Sequence, residues 1–102
     1  MAQVIWTEPA QTELNAIAEV ISLDKPEAAA RLVARIFQAA ERLDKFPLLG
    51  PRISEAPRSH IRHLVIPPCR VLYRPEKDRV LIVFVMRGER QFQRSFIEPT
   101  DR

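Results

Sequence analysis

The sequence predicts a two-layer α+β domain with the element order β-α-α-β-β-β. Three features indicate this fold class: a short apolar segment near the N-terminus, two stretches with apolar residues at helical spacing, and three apolar, β-branched segments in the second half. We expect the helices to form an antiparallel hairpin that covers one face of a mainly antiparallel sheet. The 102 residues are expected to form a single domain, residues 1–102.

The N-terminal strand is predicted at Gln3–Trp6, and the first helix from about Glu8 to Ser22. Thr7 is a suitable N-cap because its hydroxyl can accept a hydrogen bond from a backbone N–H of the first turn. Apolar residues then recur every three or four positions, which is the period of one helical face. This face is expected to pack on the sheet.

The second helix is predicted to begin at an Asp-x-x-Glu capping box that opens with Asp24, and Pro26 suits its first turn. Its apolar stripe continues to about Lys45, where Pro47 disfavours helical geometry in the residue before it. The short connection between the two helices predicts that they form a hairpin.

Four extended segments and a tail are predicted in the second half. Val80–Met86 is continuously apolar, so we expect a central strand that is buried on both faces. The other face of the sheet and its edges are expected to remain open for binding. The remaining segments are a short edge strand at Arg52–Glu55, strands at Ile61–Ile66 and Cys69–Arg74, and a flexible or partner-dependent tail at about 89–102.

The charge is distributed unevenly along the chain. Residues 1–50 carry five basic and seven acidic side chains, a net charge of −2, whereas residues 51–102 carry eleven basic and six acidic ones, a net charge of +5. Ten of those eleven basic residues are arginines, whose forked guanidinium groups suit phosphate or carboxylate partners. The second half is therefore the predicted binding half. The alternative interpretation is a solvated sheet edge that charge protects from aggregation.

Several classes of protein are disfavoured by composition. No apolar run approaches the length of a membrane span, and the N-terminus lacks the pattern of a secretory signal. The single cysteine, Cys69, excludes an internal disulfide and fits a reducing cytoplasm. No Cys/His cluster has metal-ligand spacing, so we expect neither a metal nor another cofactor.

Several motifs, taken in their order and spacing, resemble the RelE/ParE superfamily of bacterial type II toxins, and the resemblance extends from about Val4 to Arg87. The motifs are Trp6 followed by Ala10 and Leu14, Pro26-Glu-Ala-Ala29, Leu43-Asp-Lys-Phe-Pro47 with Gly50, Arg62-His-Leu64, and Arg70-Val-Leu-Tyr-Arg74.

The resemblance implies the same sheet-and-hairpin fold and a growth-inhibiting toxin that a cognate antitoxin neutralises. It also implies that operator DNA is contacted only indirectly, through the antitoxin. RelE-like members cleave messenger RNA on the ribosome, whereas ParE-like members act on DNA gyrase. An inactive toxin-fold protein that only binds its antitoxin and co-represses transcription is a third possibility.

Cleavage of RNA requires groups that move protons and groups that stabilise phosphate charge. No lysine lies on the predicted strands, and no tyrosine follows Tyr73. The acid–base set of a ribonuclease is therefore weak, and we favour action on gyrase by protein contact. If the chain is a ribonuclease, its candidate residues are Arg62, His63, Arg70, Tyr73 and Arg87, with His60 as another possible proton carrier.

A second set of residues is predicted to bind the target or the antitoxin. It consists of Arg52, Arg62, Arg70, Arg74, Arg87, Arg90 and Phe92. The alternative for Arg62 and Arg70 is a role within the fold, in which they bond to backbone carbonyls or pair with Glu55 or Glu76.

Overall fold

A computed structural model describes residues 2–98 and has the predicted element order. Two 3₁₀-helices accompany the main elements, one at Arg42–Asp44 and one at Arg94–Ile97. The strands and helices are β1 (Gln3–Trp6), α1 (Glu8–Ser22), α2 (Pro26–Glu41), β2 (Arg62–Ile66), β3 (Cys69–Pro75) and β4 (Arg79–Arg87).

The four strands form one sheet in the order β1-β4-β3-β2. β1 is parallel to β4, with Gln3 opposite Arg79, and the other two pairs are antiparallel. β4 is the predicted central strand, and every side chain of Val80–Met86 is at most 7% exposed. The register of β3 and β4 shifts at Val83, which is an extra residue in β4 and bends the strand locally.

The start of α1 is as predicted. The Thr7 hydroxyl accepts a hydrogen bond from the Ala10 N–H at 3.3 Å and donates one to the Ile82 carbonyl of β4 at 2.8 Å. One side chain therefore caps the helix and fixes it to the sheet.

The predicted cap of α2 is wrong. Lys25, not Asp24, precedes the helix, and it makes no side-chain capping bond. The backbone N–H of Asp24 donates to the Ile21 carbonyl, so this residue belongs to the turn that ends α1. The α-helix also ends earlier than predicted, at Glu41, and a 3₁₀ turn continues it to Asp44.

Both faces of the sheet are covered, which corrects the expectation of an open face. The first core lies between the sheet and the helices and includes Leu14, Ile36 and Val71. The second lies on the opposite face, where Ile53 and Phe96 come from the loop before β2 and from the segment after β4. Within residues 2–98, the outer edge of β2 is also partly covered, because Arg52 forms an antiparallel bridge with Arg62.

The segment from Arg52 to Glu55 does not form the predicted edge strand. It makes one isolated antiparallel bridge, between Arg52 and Arg62, because the chain turns away from β2 immediately afterwards. Part of the predicted flexible tail packs on the sheet, since Phe96 and Ile97 are buried in the second core. Residues 99–102 of that tail lie outside the described residues.

Candidate functional site

The predicted site residues do not form one surface. Alternate residues of a strand point to opposite sides of a sheet. By their register and core neighbours, Arg62 and Arg87 project to the side of the helices, whereas Arg70 and Arg74 project to the opposite side. The arginines on the strands therefore belong to separate local arrangements.

The first arrangement, the Gly50 junction, consists of Gly50, Arg62 and Tyr73. Nη1 of Arg62 donates to the Gly50 carbonyl at 2.7 Å, and the Gly50 N–H donates to the Tyr73 hydroxyl at 2.9 Å. A Cβ at Gly50 would lie 2.0 Å from the carbonyl oxygen of His63, so only glycine fits here. The junction holds the exit of α2 against β2 and β3.

Tyr73 is fully buried in the first core, and burial is the main cause that raises the pKa of its hydroxyl. Its oxygen already accepts the Gly50 N–H. A phenol in this position cannot meet a leaving oxygen from a bound RNA, because no solvent or substrate reaches it. The structure thus gives the tyrosine a role within the fold.

The second arrangement, the Glu55 cluster, consists of Glu55, His63 and Arg70 on the opposite side of the sheet. Arg70 binds both carboxylate oxygens of Glu55, at 2.8 and 3.1 Å, and its Nε donates to Nδ1 of His63 at 3.0 Å. Hydrogen bonds from Arg70 are the main cause that lowers the pKa of Glu55. The bidentate pair neutralises the charge of Arg70.

Burial, followed by the charge of Arg70, lowers the pKa of His63. Since Nδ1 accepts the bond from Arg70, the neutral ring carries its proton on Nε2. The basic nitrogen of His63 therefore already accepts a hydrogen bond and is not free to take a proton. A proton taken from substrate would also place two positive charges side by side.

The remaining predicted arginines of the strands are mostly paired with carboxylates. Glu76 is shared by Arg74, at 3.1 Å, and Arg79, at 2.7 Å. Arg87 pairs with Glu89 at 2.9 Å. Two roles within the fold that the sequence suggested as alternatives are therefore observed. Arg70 pairs with Glu55, and Arg62 bonds to a backbone carbonyl.

The predicted residues after β4 are separate from both arrangements. The Arg90 guanidinium pairs with Glu13 of α1 at 3.1 Å and lies 4.6 Å from the centre of the Phe96 ring. Phe92 is half-buried and packs edge-to-face on Phe96. The Phe96 ring in turn stacks on Phe84 of β4, with 4.2 Å between the ring centres, and this contact attaches the C-terminal segment to the sheet.

Unlike the other predicted arginines, Arg52 makes no side-chain hydrogen bond within residues 2–98. It is exposed, lies directly opposite Arg62 in the isolated bridge, and forms no ion pair with any carboxylate of residues 2–98. The sequence indicated the arginine but not its neighbour, because the pairing of Arg52 with Arg62 depends on the path of the loop between them.

Two other kinds of feature are absent from the part of the chain that the structure describes. No three His, Cys, Asp or Glu side chains of residues 2–98 are grouped as metal ligands. None of the helices described there has the length and apolarity to cross a membrane.

Comparisons with known proteins point to one family. The family model described as "ParE toxin of type II toxin-antitoxin system, parDE" matches residues 4–92. The chain is 34% identical over 90 residues to a protein named Toxin RelE2 from Caulobacter vibrioides, an alignment that covers 88% of this chain and 99% of the relative.

The fold is also similar to a solved structure titled "Chromosomal ParDE TA system from P. aeruginosa". The match has a TM-score of 0.74 and 26% sequence identity, and it covers 87% of this chain and 98% of the other.

Proposed function

Because the chain belongs to the ParE toxin family of type II toxin–antitoxin systems, we propose that it inhibits growth by acting on DNA gyrase through protein–protein contact. Membership of this family implies a cognate antitoxin as partner. In this proposal the antitoxin neutralises the toxin in the cytoplasm, and operator DNA is contacted only through the antitoxin.

The proposal depends on one observation: the candidate acid–base side chains are already hydrogen-bonded within the fold. The Tyr73 hydroxyl is buried against Gly50, and Nδ1 of His63 accepts a bond from Arg70. A ribonuclease needs such groups free to exchange protons with a bound substrate. A protein that acts by surface contact does not, so these bonds favour the gyrase hypothesis.

The proposed contact residues are the arginines of the basic second half that no carboxylate neutralises. Residues 51–102 carry a net charge of +5, and Arg52 and Arg62 retain their charges because neither is paired with a carboxylate of residues 2–98. We propose that acidic side chains of gyrase or of the antitoxin meet such arginines. Complementary charge speeds association and selects partners.

The test is a supercoiling assay with purified DNA gyrase, run beside cell-free translation. The protein should block supercoiling of relaxed plasmid and leave translation unchanged, and addition of the antitoxin should restore supercoiling. Tyr73→Phe should still inhibit gyrase at a temperature where it remains folded, since the hydroxyl has only a structural role here. Intact supercoiling together with cleavage of mRNA on ribosomes would refute the proposal.

A ribosome-dependent endoribonuclease is the second candidate, because the similar curated protein is named Toxin RelE2. In that case Arg70 would bind phosphate and His63 beside it would move protons, because Arg62, Tyr73 and Arg87 lie on the other side of the sheet. Cleavage of mRNA on ribosomes that disappears in His63→Gln, with folding intact, would favour this candidate. Expression that leaves growth unchanged would instead indicate an inactive protein.

A further inference from the structure

A cleft lies beside the exit of α2, at the end of the sheet, and we propose that it binds a carboxylate-bearing, apolar peptide segment of a partner protein. This Arg52 cleft has a volume of about 400 Å³. It is lined by Pro47, Leu48, Arg52, His60, Arg62, Pro75 and Glu76. The inference rests on the proposed function in one respect, namely that the chain acts by contacting proteins.

The charge of the cleft is positive. Arg52 and Arg62 are directly opposite each other in an antiparallel bridge, so their side chains emerge on the same side. Arg62 bonds to a neutral carbonyl and therefore keeps its full charge. The one carboxylate in the lining, Glu76, is already shared by Arg74 and Arg79. An anionic group on a partner would therefore complement the positive charge of the cleft.

The cleft is also bordered by apolar side chains that solvent reaches. Leu48 is 64% exposed, and its neighbours Phe46 and Leu49 are 58% and 44% exposed. Adjacent exposed apolar residues of this kind mark sites of protein contact. Phosphate contacts use polar donors and backbone N–H groups, so these leucines favour a peptide over a nucleic acid.

The walls of the cleft are fixed before any partner arrives. The Gly50 junction holds the loop that carries Pro47 and Leu48, through the bonds of Gly50 to Arg62 and Tyr73. On the other wall, the Ser59 hydroxyl donates to the Ala56 carbonyl at 2.6 Å and accepts from the Ile61 N–H at 3.2 Å, which fixes the turn that carries His60. Because little of the site needs to be ordered on binding, even a short peptide can gain measurable affinity.

The experiment is an NMR titration of the ¹⁵N-labelled full chain with synthetic dodecapeptides in which glutamates alternate with leucine, valine or phenylalanine. The probes for comparison are the same peptides with glutamine in place of glutamate, and a single-stranded DNA dodecamer. We expect shifts at Leu48, Arg52 and Arg62, a Kd of about 100 µM or lower, and affinity about tenfold weaker for the glutamine peptides.

Two pairs of variants assign the binding to the cleft. Arg52→Gln and Leu48→Ser should each weaken the acidic peptides about threefold or more. The matched controls are Arg58→Gln, an exposed arginine outside the cleft, and Leu23→Ser, a leucine that is 84% exposed at the end of α1. Neither control should change the affinity.

Several results would overturn the inference: no saturable binding, equal affinity for the glutamine peptides, a preference for the DNA, or shifts located elsewhere on the protein. The titration contains no gyrase. Its failure would therefore leave the supercoiling result intact, and failure of gyrase inhibition would leave a positive titration intact.

Discussion

The Gly50 junction and the Glu55 cluster lie on opposite sides of the same two strands, and each contains an arginine that sequence reasoning had placed at a functional site. In the junction, Arg62 bonds to a backbone carbonyl, and the buried Tyr73 hydroxyl accepts the Gly50 N–H. In the cluster, Arg70 meets a carboxylate whose side chain is 33% exposed. The two arginines therefore differ in partner, burial of the partner and remaining charge.

This difference shows that an arginine can stabilise a fold without losing its charge. A carbonyl accepts a hydrogen bond but supplies no negative charge, so Arg62 remains available to attract an anion. A bidentate carboxylate removes most of that attraction, so Arg70 contributes little to the surface potential. The junction should also be the more stable arrangement, with little dependence on pH, whereas the cluster should be weaker and pH-dependent.

Gly50→Ala should have the largest effect, because its Cβ would lie 2.0 Å from the carbonyl oxygen of His63. Relief of that clash requires movement of backbone, and we expect a loss of about 3 kcal/mol in the free energy of unfolding. Urea unfolding measures it. Gly88→Ala is the control, since its Cβ would make an ordinary contact of 3.5 Å with the Pro68 carbonyl. A loss below about 1 kcal/mol for Gly50→Ala would contradict the close approach of Gly50 to the His63 carbonyl.

Tyr73→Phe should have the second largest effect. It removes the acceptor of the Gly50 N–H and leaves that donor buried without a partner, at a cost of about 1–3 kcal/mol. Thermal and urea unfolding should both detect the loss, with similar values at neutral and mildly acid pH. An unchanged stability would mean that the junction is not held by this bond.

Glu55→Gln should have a smaller effect that depends on pH. The folded state lowers the pKa of Glu55, so the stabilisation is present at neutral pH and is lost as the pH falls through that lowered pKa. We expect a loss of about 0.5–1 kcal/mol near pH 7, since the pair is partly exposed, and a smaller difference in acid. Glu19→Gln, at an exposed position of α1, is the control and should show neither effect.

His63→Gln should have the smallest effect. Its pKa is lowered in the folded state, so the unfolded chain binds the proton at a higher pH than the folded chain does. Wild-type stability should therefore fall by a few tenths of a kcal/mol, roughly, as the pH drops below the usual histidine value, and His63→Gln should remove that fall. If wild-type stability does not change with pH in this range, the pKa of His63 is not lowered in the folded state.

Much of the fold follows from sequence patterns because local signals determine it. The Thr7 cap, the limits of α1 and the buried β4 result from residues that are close together in the chain, and the structure confirms them. The open face of the sheet was wrongly predicted for the opposite reason. The loop around Ile53 and the segment around Phe96 reach that face from distant positions, and no periodic pattern records where a loop packs.

The site was predictable by residue type but not by arrangement. The sequence shows that arginines are concentrated in the second half, and it allows that Arg70 pairs with Glu55. It does not show that Arg62 and Arg70 point to opposite sides while Arg52 returns to a position opposite Arg62. That information depends on the strand register and on the course of the loop, which are set by tertiary packing.

The parallel pairing of β1 with β4 has a consequence for synthesis in the cell. Gln3 lies opposite Arg79, so the first strand has no neighbour in the sheet until β4 has left the ribosome. Translation adds about 5–20 residues per second, and the nascent chain therefore spends several seconds without its central strand. During that interval the chain cannot complete its sheet, so any activity that requires the finished fold is delayed by the same time.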